Sequence, residues 1–400
     1  SPSIAEAEAH LREAGAAISA KKAALAPSAS ASVNFVHADL PGGFLNNSSL
    51  NFYQLGGTAS WEPDIFGGNH RAVEQARAEQ GQRFAQLADA QVSLSAQVAQ
   101  AYINLRDGQE RLELNGQLAQ LQRQSLGLVQ QRRDAGTASA FDVEQAQRQL
   151  QATLAQATPL AAQIDEAKDV LAVLTGQAPG ALDAALAPIK PLPMPPAQVA
   201  IADPAALIQH RPDVRSAERA LAASTANIGV AKAKLFPSVS FQGLFGLGGT
   251  SAGDMFDPSK FASLLMPSLK WNILDFGKAK AGIHQSEARR DAAEAQYRQA
   301  VLNALQDAET NLSKFGSART ALGHYAQTQA SAAHTSDLGA QRLAQGLSTV
   351  IEQNDRKVAQ LQATQQVSEA KARLTGAYIA VNKSLGLGWS EAPAGAKPAG

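Results

Sequence analysis

The 400-residue chain carries 35 Lys and Arg against 35 Asp and Glu, so its formal net charge is zero and no basic face large enough to grip nucleic acid is announced. Aromatic residues make up only 5% while Ala and Gln dominate, which argues against ordinary globules and for long coiled helices. With no Cys, disulfides, thiol nucleophiles and Cys-ligated zinc are excluded together.

No segment reaches the roughly 18 continuous apolar residues of a membrane helix, so any membrane span must be made of strands. The chain starts at Ser1 without a Met or a signal peptide, the expectation being a processed or truncated start. Residues Ile4 to Leu25 read as a helix, with Leu11, Ala14, Ile18 and Leu25 at helical spacing and Pro27 ending it. The period then changes to two. Ala29, Ala31, Val33 and Phe35 alternate with Ser28, Ser30, Ser32 and Asn34, which predicts a strand with one apolar face. Leu40 to Ser49 is predicted as a loop. A second strand puts Leu55, Ala59 and Trp61 opposite Gln54, Thr58 and Ser60 and ends near Phe66-Gly67-Gly68.

A proline-free helix is predicted from about Arg71 to Arg133, with a seam of Phe84, Leu87, Leu94, Val98, Ala101, Leu105 and Leu112. Gly136 and the small residues after it turn the chain back, and Asp142 suits the start of the returning helix. That helix carries Val143, Ala146, Leu150, Leu154, Ala157, Ile164, Leu171 and Leu174 inward, is expected to kink or break at Pro159, and stops at Gly176. Residues 177–204 are predicted as a connector too crowded with Pro188, Pro191, Pro193, Pro195 and Pro196 to hold a helix. The pattern then begins again. A helix opens at Pro212, a strand follows with Val239, Phe241 and Phe245 on one face, and Gly246 to Ser259 is predicted as loop. The next strand carries Leu265, Leu269, Trp271 and Ile273, and a helix from about Lys278 to Ala344 is turned by Gly346.

Pro2 and Pro212, Pro27 and Pro237, Trp61 and Trp271, Phe66 and Phe276, Gly136 and Gly346, and Gly176 and Gly386 all differ by 210 positions. So regular a spacing over the whole length indicates an internal duplication. The expected organisation is one repeat over 2–175, with a β-hairpin at 28–66 and a helical hairpin at 70–175 whose tip is 134–142. A Pro-rich connector covers 176–203. The second repeat spans 204–388, with a β-hairpin at 238–276, a helical hairpin at 278–386 and a tip at 344–352, and a flexible tail fills 389–400. Four strands cannot close a barrel, since the smallest need about eight, so several chains must contribute to one. An apolar outer face with a Ser, Thr, Asn and Gln inner face is the transmembrane-barrel pattern, and Trp61 and Trp271 at the strand ends suit a membrane-interface girdle.

The segment Arg211-Pro212-Asp213-Val214-Arg215-Ser216-Ala217-Glu218, followed by Ile228-Gly229-Val230-Ala231-Lys232-Ala233 and Leu235-Phe236-Pro237-Ser238-Val239-Ser240, closely resembles the outer-membrane factor (TolC-like) family. The nearest branch is the OprM/NodT group of efflux lipoproteins. The resemblance covers nearly the whole chain. It implies a mainly α fold with a small β part and a homotrimer, with a twelve-stranded outer-membrane β-barrel continued by a periplasmic coiled-coil tunnel. It also implies partners: outer-membrane lipid, a periplasmic adaptor (membrane fusion protein) and an inner-membrane transporter of the RND type. The implied function is passive conduction of drugs or other toxic small molecules out of a Gram-negative cell. Members of this branch usually begin with a lipidated Cys, which this chain lacks.

Neither a catalytic constellation nor a cofactor or metal motif is visible, so no enzyme is expected; the seven His stand without a Glu or second His at ligand spacing and read as mostly solvated helix-surface residues. In the family the acidic residues after the glycine turn ring the narrow mouth, which implies Glu352 and Asp355, with Asp142 in the corresponding place of the first turn. Threefold symmetry turns each carboxylate into a ring that favours cations. The Tyr and Arg that latch the best-known member correspond to Leu343 and Ser348, so closure is expected to rest on packing by Leu343, Leu347 and Val350. Gly136, Thr137, Gly346 and Leu347 are the expected adaptor-docking surface. Two rival readings are a periplasmic adaptor, which carries one hairpin where this chain has two, and a fibre-forming structural coiled coil.

Overall fold

A computed structural model describes residues 1–39, 49–196 and 210–389. In chain order the elements are α1 (Pro2–Ala23), β1 (Ser28–Asp39), β2 (Ser49–Trp61), α2 (Gly68–Asp134), α3 (Ala140–Thr175) and α4 (Asp183–Leu186). There follow α5 (Pro212–Ala233), β3 (Ser238–Gly249), β4 (Phe261–Lys270), α6 (Lys278–Ala344) and α7 (Val350–Ser384). The predicted loop at residues 40–48 and the connector residues 197–204 lie outside the described residues.

The chain divides into two compact units. One comprises residues 7–87 and 213–300 and holds a single antiparallel sheet in the order β1-β2-β3-β4. Its register shows why the alternating sequence folds this way. Val33 stands opposite Leu55, Leu55 opposite Leu247, Trp61 opposite Phe241, and Val239 opposite Leu269, all in apolar rows. The alternate rows pair Ser28 with Ser60, Ser30 with Thr58 and Ser240 with Ser268. There the Ser30 and Thr58 hydroxyls lie 2.7 Å apart and those of Ser28 and Ser60 2.8 Å. The apolar face is uncovered: Val33 is 69% exposed and Leu265 69%. Below the sheet, α5 is tied to both long helices, since Asn227 donates to Gln75 Oε1 at 3.0 Å and accepts from Ser286 Oγ at 3.2 Å.

The other unit comprises residues 1–6, 88–212 and 301–400. Its core joins α2 to α3 through Ala101, Leu105, Ile164, Ala167 and Leu171, with Leu182 and Leu186 of the connector packed against it. Full burial of one side chain such as Leu105 contributes about 1.5–3 kcal/mol. A second stripe of α2 meets α7. Ser368 donates to Glu110 at 2.8 Å, Arg111 pairs with Glu369 at 3.1 Å, and Asn354 donates to Ser125 at 3.1 Å. Because α2 has neighbours on two sides it also buries Ile103, Leu118, Asn115 and Gln122, none of which the single predicted seam contained, while Leu112 is only partly buried.

Five expectations are corrected. Helix α3 runs unbroken through Pro159, held on either side by the buried Leu150, Leu160 and Ile164. Strand β3 continues through Gly246 to Gly249, because β2 offers Tyr53 and Gln54 as ladder partners, and two short 3₁₀ turns at 252–256 and 258–260 complete the predicted loop. Strand β4 ends at Lys270, so Trp271, Asn272 and Ile273 lie beyond it. The connector does hold one helical turn, α4, in the proline-free stretch between Pro179 and Pro188. Its carbonyls are claimed by a buried side chain. Arg106, 2% exposed, donates to Leu186 O at 3.5 Å and Pro188 O at 2.7 Å and stacks its guanidinium over the Tyr102 ring. Finally Trp389, assigned to the tail, donates its indole N–H to His210 O at 3.0 Å.

Arg106→Ala removes these charge-assisted bonds and leaves the Pro188 carbonyl without its donor, while Leu186 O keeps the bond from Gln109 Nε2 at 2.9 Å. The substitution is expected to cost about 3 kcal/mol and to make residues 182–190 the first site of protease cleavage, read by limited proteolysis and by the denaturant midpoint of the helical signal. Unchanged cleavage and midpoint would show that the connector is held by its leucines alone.

Candidate functional site: the hairpin tips and the two-faced sheet

Each helical hairpin reverses through the same construction. Gly136 and Gly346 adopt left-handed φ values of 73° and 71°, where a side chain is strained. At the first turn the Gly136 N–H donates to Arg133 O at 2.9 Å and the Thr137 N–H to Arg132 O at 2.7 Å. At the second, Gly346 donates to Leu343 O at 3.0 Å and Leu347 to Arg342 O at 2.9 Å. These paired bonds are the Schellman closure of a helix C-terminus. Two residues on, the return helix opens with a capping box. Ser139 Oγ accepts from the Asp142 N–H at 3.2 Å and the Asp142 carboxylate accepts from the Ser139 N–H at 2.8 Å. Thr349 and Glu352 repeat the exchange, both bonds at 3.2 Å.

The structure therefore places Asp142 and Glu352, both exposed, at the tips as cap residues. Hydrogen bonds from Ser139 hold the Asp142 carboxyl below its ordinary range. The Glu352 carboxyl is held down first by the Ser348 hydroxyl, which donates to it at 2.5 Å, then by the Thr349 backbone. Asp355 lies on the next turn and behaves oppositely. Partial desolvation pushes its carboxyl up, Arg356 opposes this and the Glu352 charge adds to it. Arg356 also donates to Ser348 Oγ at 3.1 Å, so Ser348 joins a cation to the cap carboxylate. Sequence reading missed this arrangement; the i, i+4 spacing of Ser348, Glu352 and Arg356 was its available signal.

Within one chain the gate residues do not converge into a core. Leu343 is half-buried, whereas Leu347 is 63% exposed and Val350 49%. Gly136, Thr137 and Gly346 are exposed beside them, and Phe141, absent from the sequence expectation, is 72% exposed at the first tip. In the sheet, the Trp61 indole donates to Leu25 O and the Trp271 indole to Leu235 O, each at 3.1 Å, so both tryptophans tie a strand end to the end of the preceding helix. Among the described residues no cluster of three metal-ligating side chains occurs; His10 and His284 each lie beside a Glu three residues on, and His70 beside Asp64. No described helix is long and apolar enough to cross a membrane.

The family model for outer membrane efflux proteins matches residues 1–177 and 204–387, and the chain belongs to that family. Among its relatives, the toluene efflux pump outer membrane protein TtgF of Pseudomonas putida is 27% identical over 377 residues, covering 92% of this chain and 77% of its own length. The pyoverdine export outer membrane protein OpmQ of Pseudomonas aeruginosa is 30% identical over 357 residues, covering 86% of this chain and 72% of its own length. The solved structure of the outer-membrane channel OprN superposes with a TM-score of 0.88 at 32% identity, over 97% of this chain and 88% of that one. The mostly helical fold with its small four-stranded sheet is thus that of a TolC-like outer-membrane channel, in a transport family whose members are outer-membrane components of efflux pumps in Gram-negative bacteria.

The capped carboxylates have depressed pKa values, so their support for the tips is complete above the ordinary carboxylate range and is lost as pH falls through the lowered folded values. Amide-exchange protection of residues 139–143 and 349–353, corrected for intrinsic rates, is expected to drop between pH 6 and pH 2. Ser139→Ala and Thr349→Ala are each expected to cost about 1 kcal/mol and to remove most of that protection already at neutral pH. Protection that is flat with pH and indifferent to both variants would leave the boxes without energetic weight.

Proposed function

We propose that three copies of this chain close into one twelve-stranded outer-membrane β-barrel continued by a periplasmic α-helical tunnel. Through it, drugs or other toxic small molecules pass without input of energy by the chain itself; the relatives' names state toluene and pyoverdine. The observation that carries the reading is a sheet whose apolar face is bare and whose outer strands β1 and β4 have no further partner among the described residues. Strands of 10–13 residues are long enough to cross a bilayer, which takes about 9–11 when tilted. In hydrocarbon every ladder group must be paired, so only closure makes such a sheet viable. Trp61 and Trp271 form the girdle at the periplasmic interface. The chain is a tandem duplication of the unit at 2–175 in 204–388, joined by the connector at 176–203.

In the tunnel mouth six hairpin tips gather. Glu352 and Asp355, with Asp142, line the constriction, and Leu343, Leu347 and Val350 pack across the axis to close it. Gly136, Thr137, Gly346 and Leu347 receive the hairpin of a periplasmic adaptor that couples the tunnel to an RND-type inner-membrane transporter. The exposed Leu347 supports a docking role, and the small residues at the turns permit close approach.

The detergent-extracted protein is expected to sediment as a trimer and to form cation-selective channels in planar bilayers; a monomer or a fibre would overturn the reading. Glu352→Gln with Asp355→Asn is expected to lower cation selectivity several-fold. In the unaltered channel the loss of selectivity on acidification should begin above the ordinary Asp range, since the Asp355 carboxyl is pushed up. Thr137→Trp, outside the gate residues, is expected to keep the trimer and its conductance while abolishing efflux in cells supplied with adaptor and pump.

A further inference from the structure

Both halves of the sheet obey one translation along the sequence. Ser28 pairs with Ser60 and Ser238 with Lys270, so each partner of the second hairpin lies 210 positions beyond its counterpart in the first. The same shift carries the Trp61 bond to Leu25 into the Trp271 bond to Leu235. The chain also contains one seam between halves, β2 on β3, in which Thr58 faces Leu244 and Ala59 faces Gly243. Moving that seam by one repeat brings β4 against β1 of a second copy.

We infer that copies of this chain join edge to edge in the register this translation dictates: Lys270 against Ser32, Leu269 against Val33, Ser268 against Asn34 and Pro267 against Phe35 of the next copy. The inference rests on the trimeric reading above and adds to it the residue-level pairing of the intermolecular seam. Every pair matches faces, apolar with apolar and polar with polar. A slip of one residue would mix the faces, whereas a slip of two would keep them, so face matching alone leaves several registers and the repeat selects one.

The translation also says how the seams differ. Inside the chain, Trp61 stacks on Phe241 with centroids 6.0 Å apart and Phe66 on Phe236 at 4.8 Å. Shifted by one repeat, Trp271 meets Ala31 and Phe276 meets Ala26 of the neighbour. Phe276 is fully exposed in the single chain and has a left-handed φ of 49°, as expected of a ring held out for a surface that another copy supplies.

Since the chain has no Cys, the register is testable by pairs of introduced ones. The full-length double variant Asn34→Cys/Ser268→Cys is extracted in detergent, oxidised briefly with copper phenanthroline and run without reductant. Within one chain the two positions stand on opposite edges of the sheet, at least three strand spacings or about 14 Å apart, so only a bond between copies forms. A covalent trimer is expected in at least about 5-fold higher yield than from Ser32→Cys/Ser268→Cys or Val36→Cys/Ser268→Cys, which report the two-residue slips. A higher yield from either of those overturns the register. A protein that sediments as a trimer before oxidation yet cross-links in none of the three overturns it too, with the trimeric reading intact. A protein that sediments as a monomer removes the trimeric reading itself.

Discussion

A helix of 67 residues, roughly 100 Å long, leaves its final carbonyls without partners where it stops, and this chain contains two such helices. The way those ends are satisfied determines where the chain reverses, and hence which residues of α3 meet α2 and which of α7 meet α6. Glycine in the left-handed region allows the next two N–H groups to fold back onto the last turn, and a hydroxyl with a carboxylate then starts the return helix within a few residues. The same closure recurs at the far ends of the return helices, where Gly176 donates to Val173 O and Gly386 to Lys383 O. Four stops of one design, in two pairs separated by 210 positions, keep both hairpins in equal register with the strands that precede them.

The tips put one set of side chains to two uses. Asp142 and Glu352 hold helix ends, and in the proposed channel they also present charge to the permeating solute. Their geometry is fixed by Ser139, Thr349 and Ser348, so that charge stays where the backbone puts it. Among the described residues no such tether holds Asp355, and its environment resists ionisation. The two carboxylates of the second tip therefore differ in both mobility and titration, although they sit three residues apart on one helix.

Much of this was legible in the sequence for physical reasons. Period-two alternation gave away the faces of all four strands, since Ser and Thr have no other reason to interleave with Val and Phe. The turns were legible because only glycine tolerates the backbone they need. What could not be read was decided by distant partners. Asn115 and Gln122 look like surface residues, yet both are buried once the helices around α2 assemble. The glycines at 246, 248 and 249 look like loop until Gly56, Gln54 and Tyr53 pair with them. Pro159 looks like a break, but the leucines around it hold the helix through the missing bond. At the tips the caps were foreseeable from Asp142 and Glu352, whereas the Ser348 link to Arg356 was missed, its one signal being the i, i+4 spacing of each to Glu352.

The ring stacks between the two halves of the sheet have a mechanical consequence. Trp61 with Phe241 and Phe66 with Phe236 clamp β2 to β3 inside one polypeptide, while the translated contacts between copies set rings only on alanine methyls. Aromatic pairs contribute about 0.5–1.5 kcal/mol beyond their buried area, so the joint within a chain outlasts the joint between chains. Heat or detergent would accordingly part the proposed trimer copy from copy, each departing with its four strands still zipped, and reassembly would begin from finished thirds of wall instead of loose hairpins.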